Sequence, residues 1–173
     1  DDGNEVPADT EGTVYMTLGA ADFENKGDSA KTKDNRTADG YFTVGDWGLI
    51  DEDGYLFLKD RKSDMIISGG VNIYPAEIEA VLYNAPGVDD VAVFGIPHDD
   101  WGEEVKAVIQ LTADAPEPDA ARQQIAEFCE TQLAKFKRPR TIDFIDEMPR
   151  DPNGKLYKRK LRDPFWEGRD RQI

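Results

Sequence analysis

Cysteine and histidine are nearly absent from this chain of 173 residues: Cys129 is the only thiol and His98 the only imidazole. A lone cysteine excludes an internal disulfide and fits a reducing cytosol. With no second histidine to serve as its base, Cys129 reads as a core residue and not as a nucleophile. No apolar run approaches the roughly 20 residues of a membrane helix, and no signal peptide is visible. The first residue is Asp and not Met, which leads us to expect a piece cut from a longer chain. Basic side chains are outnumbered by acidic ones, 21 to 36. The net charge of −15 argues against a general nucleic-acid binder, which needs a basic face.

What is present is unevenly spread. Residues 63–134 hold fourteen acidic side chains and two basic ones, Lys106 and Arg122, whereas residues 135–173 hold seven acidic and twelve basic. A basic end on an acidic body suits phosphates or an acidic partner surface; the alternative is a solvated helix face. The 39% apolar content supports a core, and the length suits one domain or a small domain with an appendage.

Gly12 to Leu18 alternates as a strand. Residues 19–40 carry too few apolar groups to bury much and read as loop or short helix. Trp47–Ile50 and Tyr55–Leu58 flank Asp51-Glu-Asp-Gly54, a hairpin signal. A four-residue turn sets Asp46 across from about Lys59, with Arg61 two residues beyond at the same open end. That places a carboxylate near a guanidinium, by itself a surface ion pair of small worth.

Asp60 to Pro75 combines a charged cluster (Arg61, Lys62, Asp64), a short β-branched strand Met65–Ile67, and the turn Ser68-Gly69-Gly70. Pro75 to Asn84 is a helix with Pro at its first position and Ile78, Val81 and Leu82 on one face. Val91–Ile96, Val105–Thr112 and Thr141–Ile145 read as strands, and Ala120–Leu133 as an amphipathic helix burying Ile125, Phe128, Cys129 and Leu133. Pro97 to Glu104 joins one imidazole to several carboxylates without the spacing of a metal site, and reads as a solvated turn anchored by Trp101. Met148-Pro-Arg-Asp-Pro-Asn-Gly154 is turn upon turn. It leads into Lys155, a short basic helix to Arg162 and a loose tail over 163–173. Gly154-Lys155 is not a phosphate-binding P-loop, because Leu156 stands where Ser or Thr is needed. Spacing alone does not set Lys155 apart from an ordinary surface lysine.

Three segments in order, Gly40-Tyr-Phe-Thr-Val-Gly-Asp-Trp-Gly48, Asp60 to Pro75 and Met148 to Arg162, resemble the AMP-forming acyl-CoA synthetases, a superfamily that includes luciferase and peptide-synthetase adenylation domains. The resemblance runs from about Gly40 to Arg162. It implies that Asp46 and Arg61 contact the nucleotide, that Ser63 is the hinge, that Gly69 and Gly70 line the path of CoA, and that Lys155 is the catalytic lysine of adenylation. Ser63 stands where the family usually has Asp or Lys, and Val44 where it has Thr. No metal ligand falls on this chain.

The expected fold is therefore α+β: a small mobile C-terminal lobe, 63–162, with a three-stranded sheet and flanking helices. Residues 1–62 are expected to be a strand and a β-hairpin from the end of an N-terminal nucleotide-binding domain, and 163–173 a tail. The resemblance implies a cytoplasmic fatty- or aryl-acid–CoA ligase whose intact form takes ATP with Mg2+, a carboxylic acid and CoA. None of these is held by this piece alone, which is expected to be inactive without the missing N-terminal domain. Two alternatives stand beside it: an adenylation enzyme that loads a carrier-protein phosphopantetheine, and a non-catalytic interaction module.

Overall fold

The computed structural model describes residues 4–17 and 35–169. Most of the loop expected over 19–40, and the end of the first strand at Leu18, lie outside these residues. The chain divides into two compact units, Asp1–Ser63 and Asp64–Ile173.

The first unit is an antiparallel sheet of β1 (Gly12–Thr13), β2 (Asp46–Ile50) and β3 (Leu56–Arg61), in that order. The Asp51–Gly54 turn is closed by Gly54 N–H to the Asp51 carbonyl at 3.0 Å and by Tyr55 N–H to the Asp51 carboxylate at 2.8 Å. The register differs from the one expected. Trp47 faces Asp60 but Gly48 faces Leu58, so Lys59 is the extra residue of a bulge and Asp46 pairs directly with Arg61. The cause is local: a Cβ on Gly48 would stand 2.5 Å from the Phe57 carbonyl oxygen, an approach that only glycine permits.

The second unit is the α+β lobe, with a five-stranded sheet where three strands were expected. Its strands are β4 (Ile66–Ser68), β5 (Val71–Ile73), β6 (Val88–His98), β7 (Gly102–Leu111) and β8 (Thr141–Phe144). The additional strands form the short β4–β5 hairpin, whose three-residue arms give little periodicity to read. Gly69 and Gly70 are its two turn residues, both at positive φ (58° and 79°), as a tight type I′ turn requires. The long β6–β7 hairpin is the frame of the sheet. β8 lies parallel to β7, so the chain must cross over between them, and helix α2 (Pro118–Gln132) makes that crossing.

Side chains alternate across this sheet and divide the core in two. Val91, Val93, Val105, Ala107, Ile109 and Ile142 face helix α1 (Pro75–Leu82) and α2, packing with Ile78, Leu82, Ile125, Cys129 and Leu133. Ala92, Phe94 and Val108 face the other way and pack with Met148, Ile96, Ile145, Leu156 and Leu161 under helix α3 (Lys158–Arg162). β6 is an edge strand, and side chains finish it. The Val93 N–H donates to Glu79 at 2.7 Å, the Val91 N–H to Asp90 at 2.9 Å, and the Gly95 carbonyl accepts from the Trp166 indole at 3.0 Å. The expected loose tail is thus ordered over Asp163–Trp166 as a 3-10 turn, and Phe165 lies 6.2 Å, centroid to centroid, from Phe94.

Candidate functional site

In the first unit Asp46 opens β2 and Arg61 closes β3, so cross-strand pairing alone brings them together. The Arg61 Nε lies 2.9 Å from the Asp46 carboxylate, and Nη1 donates to the Val44 carbonyl at 3.2 Å. Val44 lacks the hydroxyl of the threonine that the resemblance leads one to expect there, but its main chain still holds the arginine. An exposed pair of this kind contributes about 0–1 kcal/mol, so its value is orientation. A carboxylate has acceptor sites beyond one N–H contact, and Asp46 can offer them to ligand hydroxyls.

In the second unit Lys155 is exposed at the end of a closed turn. Asp151 organises it. Its N–H donates to the Lys155 carbonyl at 2.9 Å, and its carboxylate accepts from the N–H groups of Asn153 (2.8 Å) and Lys155 (2.9 Å). Arg150 and Leu156 bridge across the base of the turn, and the Tyr157 N–H donates to Pro149 at 2.7 Å. Leu156 and Met148 anchor the base in the smaller core. Downstream, Lys158 pairs with Glu79 at 2.7 Å and Arg162 with Asp64 at 3.2 Å. Lys155 itself makes no ion pair among the described residues.

Sequence reasoning missed the group beneath this turn. Arg150 donates through Nε (3.1 Å) and Nη2 to Asp90, and through Nη1 to the Gly154 carbonyl at 2.6 Å. The Tyr83 hydroxyl donates to the other Asp90 oxygen at 2.6 Å. Burial alone raises the Asp90 carboxyl; hydrogen bonds from Tyr83, Arg150 and the Val91 N–H, with the Arg150 charge, outweigh it and hold the carboxyl below its ordinary value. Burial and the bond to Asp90 push the Tyr83 hydroxyl up, and the same carboxylate raises Arg150. Tyr83, Asp90 and Arg150 span 68 positions, and no short motif could have joined them.

The Gly69–Gly70 turn is docked by the Gly69 N–H donating to the Trp101 carbonyl at 2.9 Å. A Cβ on either glycine would meet nothing within 4 Å, so the turn presents bare backbone to solvent. Ser63 sits in the 3-10 turn Lys62–Asp64 and ends the first unit.

The family profile of the AMP-binding enzyme C-terminal domain matches residues 77–155. The chain carries an AMP-binding enzyme C-terminal domain. Lys155 is the last residue of the matched stretch, while Asp46, Arg61, Ser63, Gly69 and Gly70 precede it. The chain is 48% identical over 126 residues to the long-chain-fatty-acid–CoA ligase FadD13 of Mycobacterium tuberculosis, covering 73% of this chain and 24% of that protein. It is 41% identical over 172 residues to the fatty acid–[acyl-carrier-protein] ligase ScoC of Streptomyces coeruleorubidus, covering 99% of this chain and 32% of that one. The o-succinylbenzoate CoA synthetase of Bacillus subtilis, solved with its acyl-adenylate intermediate, superposes with a TM-score of 0.82 at 29% identity, over 100% of this chain and 34% of that one. The chain thus spans about a quarter to a third of the length of these proteins.

The rest of the domain offers little further chemistry. Cys129 is buried in the larger core, where burial raises its thiol. Trp101 stacks on His98 at 4.8 Å, and the Arg140 guanidinium lies 3.5 Å from the centroid of its ring. Trp101 therefore anchors the turn as expected, but the turn is shorter than the 97–104 read from the sequence, because β6 runs to His98 and β7 starts at Gly102. Among the described residues no group of three His, Cys, Asp or Glu side chains is placed to hold a metal. No described helix is long and apolar enough to cross a membrane.

Proposed function

We propose that this chain belongs to a longer cytoplasmic enzyme, an ATP-dependent carboxylic acid–CoA ligase for a fatty or aryl acid. The carboxylate attacks the α-phosphorus of ATP, supplied as its Mg2+ complex, and pyrophosphate leaves. CoA sulfur then attacks the acyl carbon of the acyl-AMP, and AMP leaves. The observation that carries this reading is the display of Lys155: an exposed ammonium with no ion pair among the described residues, on a turn closed by Asp151, at the end of a stretch that matches the family. Negative charge develops during attack on the α-phosphorus, and a fixed cation stabilises it without reorganisation. Asp46 and Arg61 take the nucleotide of the same ATP.

Once the adenylate exists, the cation is no longer needed. Rotation about Ser63 withdraws Lys155 and offers the Gly69–Gly70 turn to CoA, whose pantetheine arm passes over backbone that carries no side chain. The N-terminal part of the enzyme supplies the acyl pocket and the remaining phosphate contacts. Without it these 173 residues are inactive.

The test is Lys155→Ala in the full-length enzyme. Adenylation, followed as ATP–pyrophosphate exchange, is expected to fall by about 100- to 1,000-fold, while thioester formation from supplied acyl-AMP is spared. Equal loss of both half-reactions defeats the assignment. The likeness to the acyl-carrier-protein ligase over 99% of the chain favours one second reading, in which the acceptor thiol is a carrier-protein phosphopantetheine. Turnover with CoA against turnover with a carrier domain separates the two.

A further inference from the structure

We propose that Arg150 is a positioning residue for Lys155, and that Asp90 and Tyr83 are the fixed point it works from. The proposal rests on the reading of Lys155 given above. Arg150 is connected at both ends. Two of its nitrogens hold the Asp90 carboxylate on β6, and the third donates to the carbonyl of Gly154, the residue directly before Lys155. The Asp90 oxygen that Arg150 does not use accepts from Tyr83, just past α1. The Asp90 side chain is only 12% exposed and that of Arg150 is 41% exposed, so the anchor is seated in the lobe and the reach to Gly154 lies at its surface.

The geometry leaves few other ways to hold this peptide. Asp151 closes the turn on itself and can fix its internal shape. It cannot fix where the turn stands on the sheet, because its partners all lie within the turn. The smaller core holds the flanking residues Met148 and Leu156. Arg150 ties the turn's own Gly154 carbonyl to the sheet edge. Arginine is suited to this position because its planar fork serves two acceptors at fixed angles, which a lysine ammonium at the end of a flexible stem cannot do. A misplacement of about 1 Å in a reacting group can cost about 100-fold in rate, so a second connection at this carbonyl has kinetic value.

The experiment uses the full-length enzyme with Arg150→Ala, Arg150→Lys and Tyr83→Phe, each alone and in a Lys155→Ala background. The readouts are both half-reactions and amide hydrogen exchange over 151–157. Arg150→Ala is expected to slow adenylation by about 10- to 100-fold and leave thioester formation from supplied acyl-AMP within about twofold. Exchange at the turn is expected to rise. Arg150→Lys keeps a cation on Asp90, preserves the fold and recovers only part of the rate. Tyr83→Phe loses a few-fold. Behind Lys155→Ala none of the three costs anything further, since there is no ammonium left to aim. If Arg150→Ala does not fold, Arg150→Lys and Tyr83→Phe carry the test on the same readouts. Equal loss of both half-reactions, or a full additional loss behind Lys155→Ala, overturns the proposal as a merely structural role. If Lys155→Ala itself leaves adenylation intact, the functional reading fails first, and the fault is then assigned to Lys155 and not to Arg150.

Discussion

The two faces of the five-stranded sheet solve different problems with the same strands. One face packs against α1 and α2 through an extended set of buried aliphatic side chains. The other has a smaller buried set, Ala92, Phe94, Val108 and Met148, and it is completed by polar contacts: Arg150 on Asp90, and Lys106 on Asp143 at 2.6 Å. The apolar face is non-directional and supplies stability. The thin face holds the Lys155 turn, and hydrogen bonds place groups where apolar contact cannot. The charged side chains gather on the side where direction matters more than area.

That contrast can be broken from either side. The largest stability loss is expected for Ile125→Ala on the thick face, about 2–5 kcal/mol, because its side chain is fully buried and the rigid strands cannot collapse into the space. Denaturant unfolding measures it. Both half-reactions of the enzyme that remains folded should be unchanged, and a selective loss of adenylation would erase the distinction between the faces. A smaller loss, about 2 kcal/mol, is expected for Met148→Ala on the thin face, where its neighbours Ile96, Ile145, Leu156 and Leu161 are only partly buried. There adenylation should suffer beyond what the lost stability explains.

The smallest effect is a pH dependence. The Asp90 carboxyl is held below its ordinary value in the folded chain. The stability it contributes is therefore present above the unfolded value of about 4 and is lost as pH falls through the lower folded value. Asp90→Asn should lower the melting temperature by a few degrees at neutral pH, and the gap to the parent should close below about pH 4. A gap that stays constant across that range would show the carboxylate charge to be irrelevant to the fold.

Much of the lobe was legible because long periodic segments state their faces. Ile78 and Leu82, and Ile125, Cys129 and Leu133, are buried as their spacing implied, with Val81 and Phe128 only partly buried, and the apolar runs mark β6 and β7 as strands without showing that they pair. The α+β class followed from the same pattern. The bulge at Gly48 was not read, although a glycine inside a strand is its usual sign; the alternation on either side of the turn concealed the shift. Residues 163–173 read as a loose tail, yet Phe165 and Trp166, two adjacent aromatics, make contacts that order Asp163–Trp166. Asp46 and Arg61 could be paired from the hairpin, and Lys155 could be singled out only through the family resemblance. Their support could not, since Asp90 and Arg150 are sixty positions apart and only the sheet brings them together.

The 3-10 turn at the end of the lobe has a bearing on how the molecule behaves among its own copies. By engaging the Gly95 carbonyl and setting Phe165 against Phe94, it plugs the rim of β6. A molecule clipped behind Arg162 would leave the Gly95 carbonyl open to a neighbouring copy, while the Val91 and Val93 N–H groups kept their carboxylate partners.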